Sequence, residues 1–94
     1  MKFIGLYEST RKDKRLMIML DEPKMIIHFG SKNASTYIEH KDKQKRDNYI
    51  KRHKVNENWD EVNAGSLSRY ILWGDSDDII VNAKNYLRKF NIGI

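Results

Sequence analysis

The sequence predicts an α+β fold: a small three-stranded antiparallel meander, then two or three helices packed on one of its faces. Three observations predict it. Residues 1–30 hold three short apolar runs, broken by a charged segment and by a Glu-Pro pair. Residues 41–54 hold neither glycine nor proline and are dense in good helix formers. Residues 76–90 repeat apolar side chains at the i, i+3, i+4, i+7 spacing of a helix expected to pack on the sheet. With 94 residues the chain makes one domain, 1–94, with a modest core.

Lys2–Ser9 reads as the first strand, with Phe3, Ile4, Leu6 and Tyr7. Thr10–Lys14 has no apolar residue and suits an exposed hairpin tip. Arg15–Asp21 is a continuous apolar run and a second strand, which Glu22–Pro23 stops because proline cannot donate to a ladder. Lys24–Gly30 is the third strand. One hairpin would be marginal alone, but three strands under a helical layer are stable. His28, among Met25, Ile26, Ile27 and Phe29, reads as a hydrogen-bonded or surface residue rather than a ligand.

Ser31–His40 is rich in small polar residues and is expected to be a loop, with Tyr37 and Ile38 tucked back on the sheet. A basic helix is then expected over 41–54. Its only apolar residues are Tyr49 and Ile50, so it can bury one edge at most. Asp42–Arg46 and Asp47–Lys51 are spaced as i,i+4 pairs that support a helix. A loop follows, in which Trp59 is too large and apolar to stay in water and pins the segment to the body. A short helix is expected over 66–73, capped by Ser66 and stopped by Gly74. The last helix, 76–90, has Ser76 as cap and Asp77 and Asp78 at its positive end. Ile79, Ile80, Ala83, Tyr86, Leu87 and Phe90 form its apolar face.

The net charge of +5 is unevenly placed. Residues 1–35 carry seven basic and four acidic side chains, 36–54 seven and three, and 55–94 four and six. Such asymmetry suggests an anionic partner on one side, nucleic acid first among them. The plain alternative is a solvated lysine-rich surface. A helix built only to stay wet would more often alternate its charges, and here several cations lack an acid at helical spacing. The candidate face, expected as a single solvent-facing ridge, is Lys41, Lys43, Lys45, Lys51, Arg52, His53 and Lys54, helped by Arg11, Lys12, Lys14 and Arg15 of the hairpin tip.

Catalysis finds little support. His40 and His53 lie thirteen apart, not the spacing of a helical metal pair, and the chain has no cysteine. Phosphate-loop, nucleophile-elbow and dinucleotide-binding motifs are absent from the sequence. A Mg²⁺-dependent nuclease around His40, Asp42 and His53 is the least favoured reading. His40 and Asp42 suit a hydrogen-bonded loop-to-helix junction instead. Trp59, Arg69 and Trp73 suit a packed corner with a cation–π contact. No catalytic residue, cofactor or metal is expected. The absence of cysteine fits a reducing compartment, and no apolar run suits a secretory leader or a membrane span.

Phe29–Gly30, Tyr37, His40–Asp42, Tyr49–His53, Glu57–Trp59 and Ser68–Trp73 together form an ordered pattern. The pattern resembles a group of small uncharacterised proteins encoded by large nucleocytoplasmic DNA viruses. Tyr70 stands where that group often has tryptophan. The resemblance implies a viral origin and a place in the virion or the cytoplasmic virus factory. It implies no activity. The expectation is thus a small, basic, non-enzymatic viral protein that binds nucleic acid through phosphate contacts of its Lys/Arg-rich helix. The alternative is a minor capsid or virion protein that binds other viral structural proteins. A small core also suits a homodimer that completes its sheet across a two-fold axis.

Overall fold

The computed structural model describes all 94 residues, Met1–Ile94. Strands β1 (Lys2–Glu8), β2 (Lys14–Asp21) and β3 (Met25–Ser31) pair antiparallel in the order β1-β2-β3, the expected meander. The helical part is α1 (Tyr37–His40), α2 (Lys43–Lys54), α3 (Ala64–Leu67) running into a π-helical turn (Ser68–Leu72), and α4 (Ile79–Lys89). The fold is α+β, with more helical pieces than expected because two are single turns.

Register explains why one face of the sheet is core. Leu6, Ile18 and Ile27 stand in one cross-strand row, and Phe3, Leu20 and Met25 in another. Leu16 and Phe29 pair in a third. Side chains alternate between faces with period two, so all of these point the same way. Ile18, Leu20 and Phe29 are buried against Leu67, Ile71 and Leu72 of the α3–π segment, Tyr86 and Leu87 of α4, and Ile92. Each such side chain contributes roughly 1.5–3 kcal/mol by leaving water. The opposite face of the sheet stays bare: Tyr7, Met17 and His28 form one row, Gly5, Met19 and Ile26 the next. Tyr7 and Ile26 remain about half exposed, at 47% and 48%. His28 Nδ1 is hydrogen-bonded to the Ser9 hydroxyl at 2.7 Å.

Helix starts depart from expectation by the choice of cap. α2 begins at Lys43, because Asp42 is its cap and accepts from the Gln44 and Lys45 N–H groups at 2.9 and 3.3 Å. α3 begins at Ala64 under Asn63, whose side chain accepts from Ser66 N–H at 2.8 Å. Ser66 itself is buried, its hydroxyl 2.8 Å from that of Tyr86. α4 begins at Ile79 under Asp78, which accepts from Ile80 N–H at 2.9 Å. Ser76 holds Asp78 instead of the helix, its hydroxyl accepting from Asp78 N–H at 3.0 Å. The expected loop at 31–40 closes in one helical turn, α1, behind Thr36; Tyr37 is buried there. Helix α4 packs chiefly on the π turn, and the α3–π segment is what covers the sheet.

Two residues of α4 exchange the roles their types suggest. Ile80, expected on the apolar face, is 57% exposed. Asn82 is buried: it accepts from Ser76 N–H at 3.0 Å and donates to the carbonyls of Ile71 and Ser76 at 3.0 and 2.7 Å. One side chain thereby satisfies three main-chain groups of the turn that joins the π segment to α4.

Gly30 closes β3 with φ +80°, and a Cβ there would stand 2.6 Å from Leu72 Cδ1. Gly30→Ala combines left-handed strain with a steric conflict, so it lowers stability by about 2–4 kcal/mol in denaturant unfolding. Burial pushes the Tyr86 hydroxyl up from its ordinary 10 to about 12. A raised folded value favours the native state below pH 10, and that share is lost as pH rises through about 12. Unfolding followed from pH 9 to 12 therefore shows stability falling by about 2–3 kcal/mol for this group alone. Tyr86→Phe removes that share of the slope.

Candidate functional site

The basic helix has almost no apolar surface with which to dock. Tyr49 is its one buried residue. Its ring lies flat on Trp73, centroids 4.3 Å apart and planes 5° from parallel. His53, one turn on, stacks on the other face of Tyr49 at 4.1 Å and 24°. His40 meets Trp73 at 5.2 Å, tilted by 58°. The four rings form a column from His40 through Trp73 and Tyr49 to His53. Stacked pairs of this kind are worth roughly 0.5–1.5 kcal/mol each beyond their area.

Polar groups fix both ends of the column. His40 Nδ1 accepts Asp42 N–H at 3.0 Å, so the proton of the neutral ring is on Nε2, which is buried without a partner. His53 Nδ1 donates to Glu57 Oε2 at 2.8 Å, and Trp59 Nε1 donates to Glu57 Oε1 at 2.8 Å. Burial, and next the negative charge of Glu57, pushes the Tyr49 hydroxyl above its ordinary value. Arg69 closes the corner. Its guanidinium lies over Trp59 at 5.4 Å and Tyr70 at 5.0 Å and donates to Trp73 O at 2.9 Å. Burial, and next the charge of Arg46, pulls Arg69 below the usual arginine value.

Arg46 is the cation that holds the helix down. Its Nε donates to the carbonyls of Trp73 and Gly74 at 3.2 and 2.8 Å, and its Nη2 to Asp75. Only 17% of its side chain is exposed. Gly74 is needed for the turn itself, where Asn82 packs close: a Cβ there would stand 2.3 Å from Tyr70 O and 2.6 Å from Asn82 Cγ. The pairing of Arg46 with Asp42 expected from their spacing does not form, since Asp42 caps the helix and Arg46 turns the other way.

Several members of the expected face are engaged by acids. Lys41 caps α1 in the left-handed region, φ 56°, and stands 3.8 Å from Asp77. Arg15 meets Glu39 at 2.8 Å and the Ala34 carbonyl, and Arg11 meets Asp13 at 3.6 Å. His53 is held by Glu57. Lys41 and Arg11 remain largely exposed, where such pairs are worth little. Lys12, Lys14, Lys43, Lys45, Lys51, Arg52 and Lys54 have no carboxylate within 4.0 Å. Asp47 and Lys51 do not pair either. At 100° per residue the free cations of α2 span the whole exposed arc rather than one ridge. Lys45 and Arg52 share the flank facing His40 and Trp73. Lys51 stands near the crest, and Lys43 and Lys54 lie on the far flank beside Asp47. The Arg15–Ala34 and Arg15–Glu39 bonds tie the hairpin end that carries Lys12 and Lys14 to the turn leading into α2.

His40, Asp42 and His53 do not converge. Two stacked rings separate the histidines, and the Asp42 carboxylate faces main-chain N–H groups. No three His, Asp or Glu side chains stand together in a geometry that could hold a metal. No helix is long and apolar enough to cross a membrane.

Residues 4–53, from β1 through all but the last residue of α2, match the model of a family of unknown function, DUF5754. The chain belongs to that family. No curated protein and no solved structure matches it. The DUF5754 segment carries Tyr49, Arg46 and the free cations up to Arg52. Trp73, Asp75 and Glu57, which hold that helix in place, come from the chain beyond it.

Sequence reasoning missed Arg46, Glu57 and Asn82 as organising residues. For Glu57 a signal existed, since an acid two residues before a tryptophan and four after a histidine can reach both. The two roles of the α2 cations separate by stability. Arg46→Ala leaves two carbonyls without their charged donor and lowers stability by about 2–4 kcal/mol. Lys51→Ala stays within about 0.5 kcal/mol, as thermal unfolding of the two variants measures.

Proposed function

We propose that this protein binds nucleic acid without sequence preference, through phosphate contacts of the exposed cations of α2. The observation that carries it is the division among those cations. Arg46 alone is drawn inward to hold the helix, while Lys43, Lys45, Lys51, Arg52 and Lys54 project from it with no carboxylate in reach. Positive groups held on a rigid element and not neutralised internally suit a polyanion, whose condensed counterions are released on binding. Lys12 and Lys14 extend the same field from the hairpin end. A spread over the whole arc suits a flexible or single strand as well as a duplex, because no groove-matched ridge is present. The resemblance to small proteins of large DNA viruses supports a place in the virion or the virus factory.

The bare sheet face favours a second reading, a virion component that acts by protein contacts. Tyr7, Met17, Met19 and Ile26 form an apolar surface opposite the helical layer, away from the engaged core.

Electrophoretic mobility of DNA and RNA between 50 and 200 mM salt separates the two. With about five phosphates engaged, affinity for duplex falls several-hundred-fold across that range. The double variant Lys45→Glu/Arg52→Glu abolishes the complex while the circular dichroism of the fold is retained. No complex with either nucleic acid at 50 mM salt sinks the first reading and leaves the sheet face as the working surface.

A further inference from the structure

The Lys45–Arg52 flank of α2 is concave. It forms one wall of a notch of about 170 Å³ lined by Ser35, His40, Lys45, Asn48, Arg52 and Trp73. Lys45, Asn48 and Arg52 recur at i, i+3 and i+7, which puts them on one side of the helix. Ser35 precedes the α1 turn, His40 ends it, and Trp73 closes the π segment, so three parts of the chain meet there.

The chemistry of the lining is one-sided. Ser35, Lys45, Asn48 and Arg52 each offer a hydrogen-bond donor, and no lining residue is a carboxylate. The His40 ring walls the notch without donating into it, because its Nδ1 already accepts Asp42 N–H and its Nε2 is buried. Asn48 Oδ1 already accepts from Gln44 Nε2 at 3.2 Å, which leaves its NH₂ group to donate. Lys45 and Arg52 have no acid within 4.0 Å. Two full positive charges and the neutral donors of Ser35 and Asn48 around a hollow select an oxyanion, and the ammonium and guanidinium make the strong charge-assisted bonds.

The shape says which oxyanion. A phosphodiester inside a strand has two unshared oxygens and chain leaving on both sides, so it suits the open crest at Lys51. A terminal phosphomonoester has three unshared oxygens, carries about −1.5 to −2 charge at neutral pH, and leaves by one side only. It alone can present oxygens to donors on several walls of a notch. Resting on the nucleic-acid reading above, we infer that this notch seats the terminal phosphate of a nucleic-acid strand. The protein then holds strand ends more tightly than strand interiors. One face of the Trp73 ring is covered by Tyr49, and His40 stands tilted against it at 5.2 Å, so tryptophan walls the notch.

The test measures binding of one single-stranded oligonucleotide in three forms, with 5′-phosphate, with 3′-phosphate and with hydroxyl ends, at 150 mM salt. The expected result is about tenfold tighter binding of a phosphorylated end, the size of one charge-assisted contact. Which phosphorylated form gains identifies the end that enters. Arg52→Gln and Lys45→Gln each bring the ratio below about twofold. Lys43→Gln weakens all forms alike and keeps the ratio, because it stands on the other flank. Inorganic phosphate competes with the phosphorylated form beyond what chloride of equal ionic strength does, and shifts Trp73 emission in a Trp59→Phe background. Salt-sensitive binding with equal affinity for all three forms overturns the notch and leaves the general reading standing. No binding of any form at 50 mM salt overturns both.

Discussion

The placement of α2 depends on one contact: the Tyr49 ring lying flat on Trp73, with Arg46 one turn earlier reaching the carbonyls beside it. A twelve-residue helix with one buried side chain is not stable by itself in water. It exists because the corner formed by the π turn and Gly74 offers it a flat aromatic surface and two carbonyls. The π turn matters here, since an α-helix continued past Leu67 would leave Trp73 on a different bearing. Trp73 N–H closes on Ser68 O, five residues back, at 3.0 Å. Leu72 then enters the core while the next residue faces α2.

This arrangement separates the base of α2 from its outer surface. Groups at the base meet acids of the C-terminal half: Lys41 with Asp77, Arg46 with Asp75, and the His53 ring with Glu57. Those farther out along α2 meet none. The negative balance of residues 55–94 therefore does structural service at the base of the helix and does not extend over its outer surface. The Arg46 guanidinium, mostly buried, is matched by Asp75 and two carbonyls, while the outer lysines are left open where water solvates them.

Much of the fold was legible from residue order. The strands were, because apolar runs of the right length lay between a charged tip and a proline. α4 was, because its period and its acidic start agreed. What escaped is tertiary. Arg46 sits four residues after Asp42, and local spacing made that pair; partners 27 and 28 residues away won because they are main-chain carbonyls in a sheltered corner. Asn82 looked like a neutral helix residue, and only the turn above it shows that its amide serves three main-chain groups. Two caps fell on Asn63 and Asp78 rather than on the nearby serines expected, since asparagine, aspartate and serine cap almost equally well. Of the site, the cationic stretch was visible in sequence and its free members were not. The ring column could not be seen either, because His40, Tyr49 and His53 converge on Trp73 only once the chain has folded back.

The column also spans the limit of the matched segment. Tyr49 belongs to the part of the chain that defines the family, and its flat neighbour does not. A relative that keeps this tyrosine but diverges after the helix must supply some other planar group against it. Failing that, it must let the helix swing free. Covariation between the tyrosine and whatever follows would then record, across the family, how often the same cationic rod has been mounted on a different support.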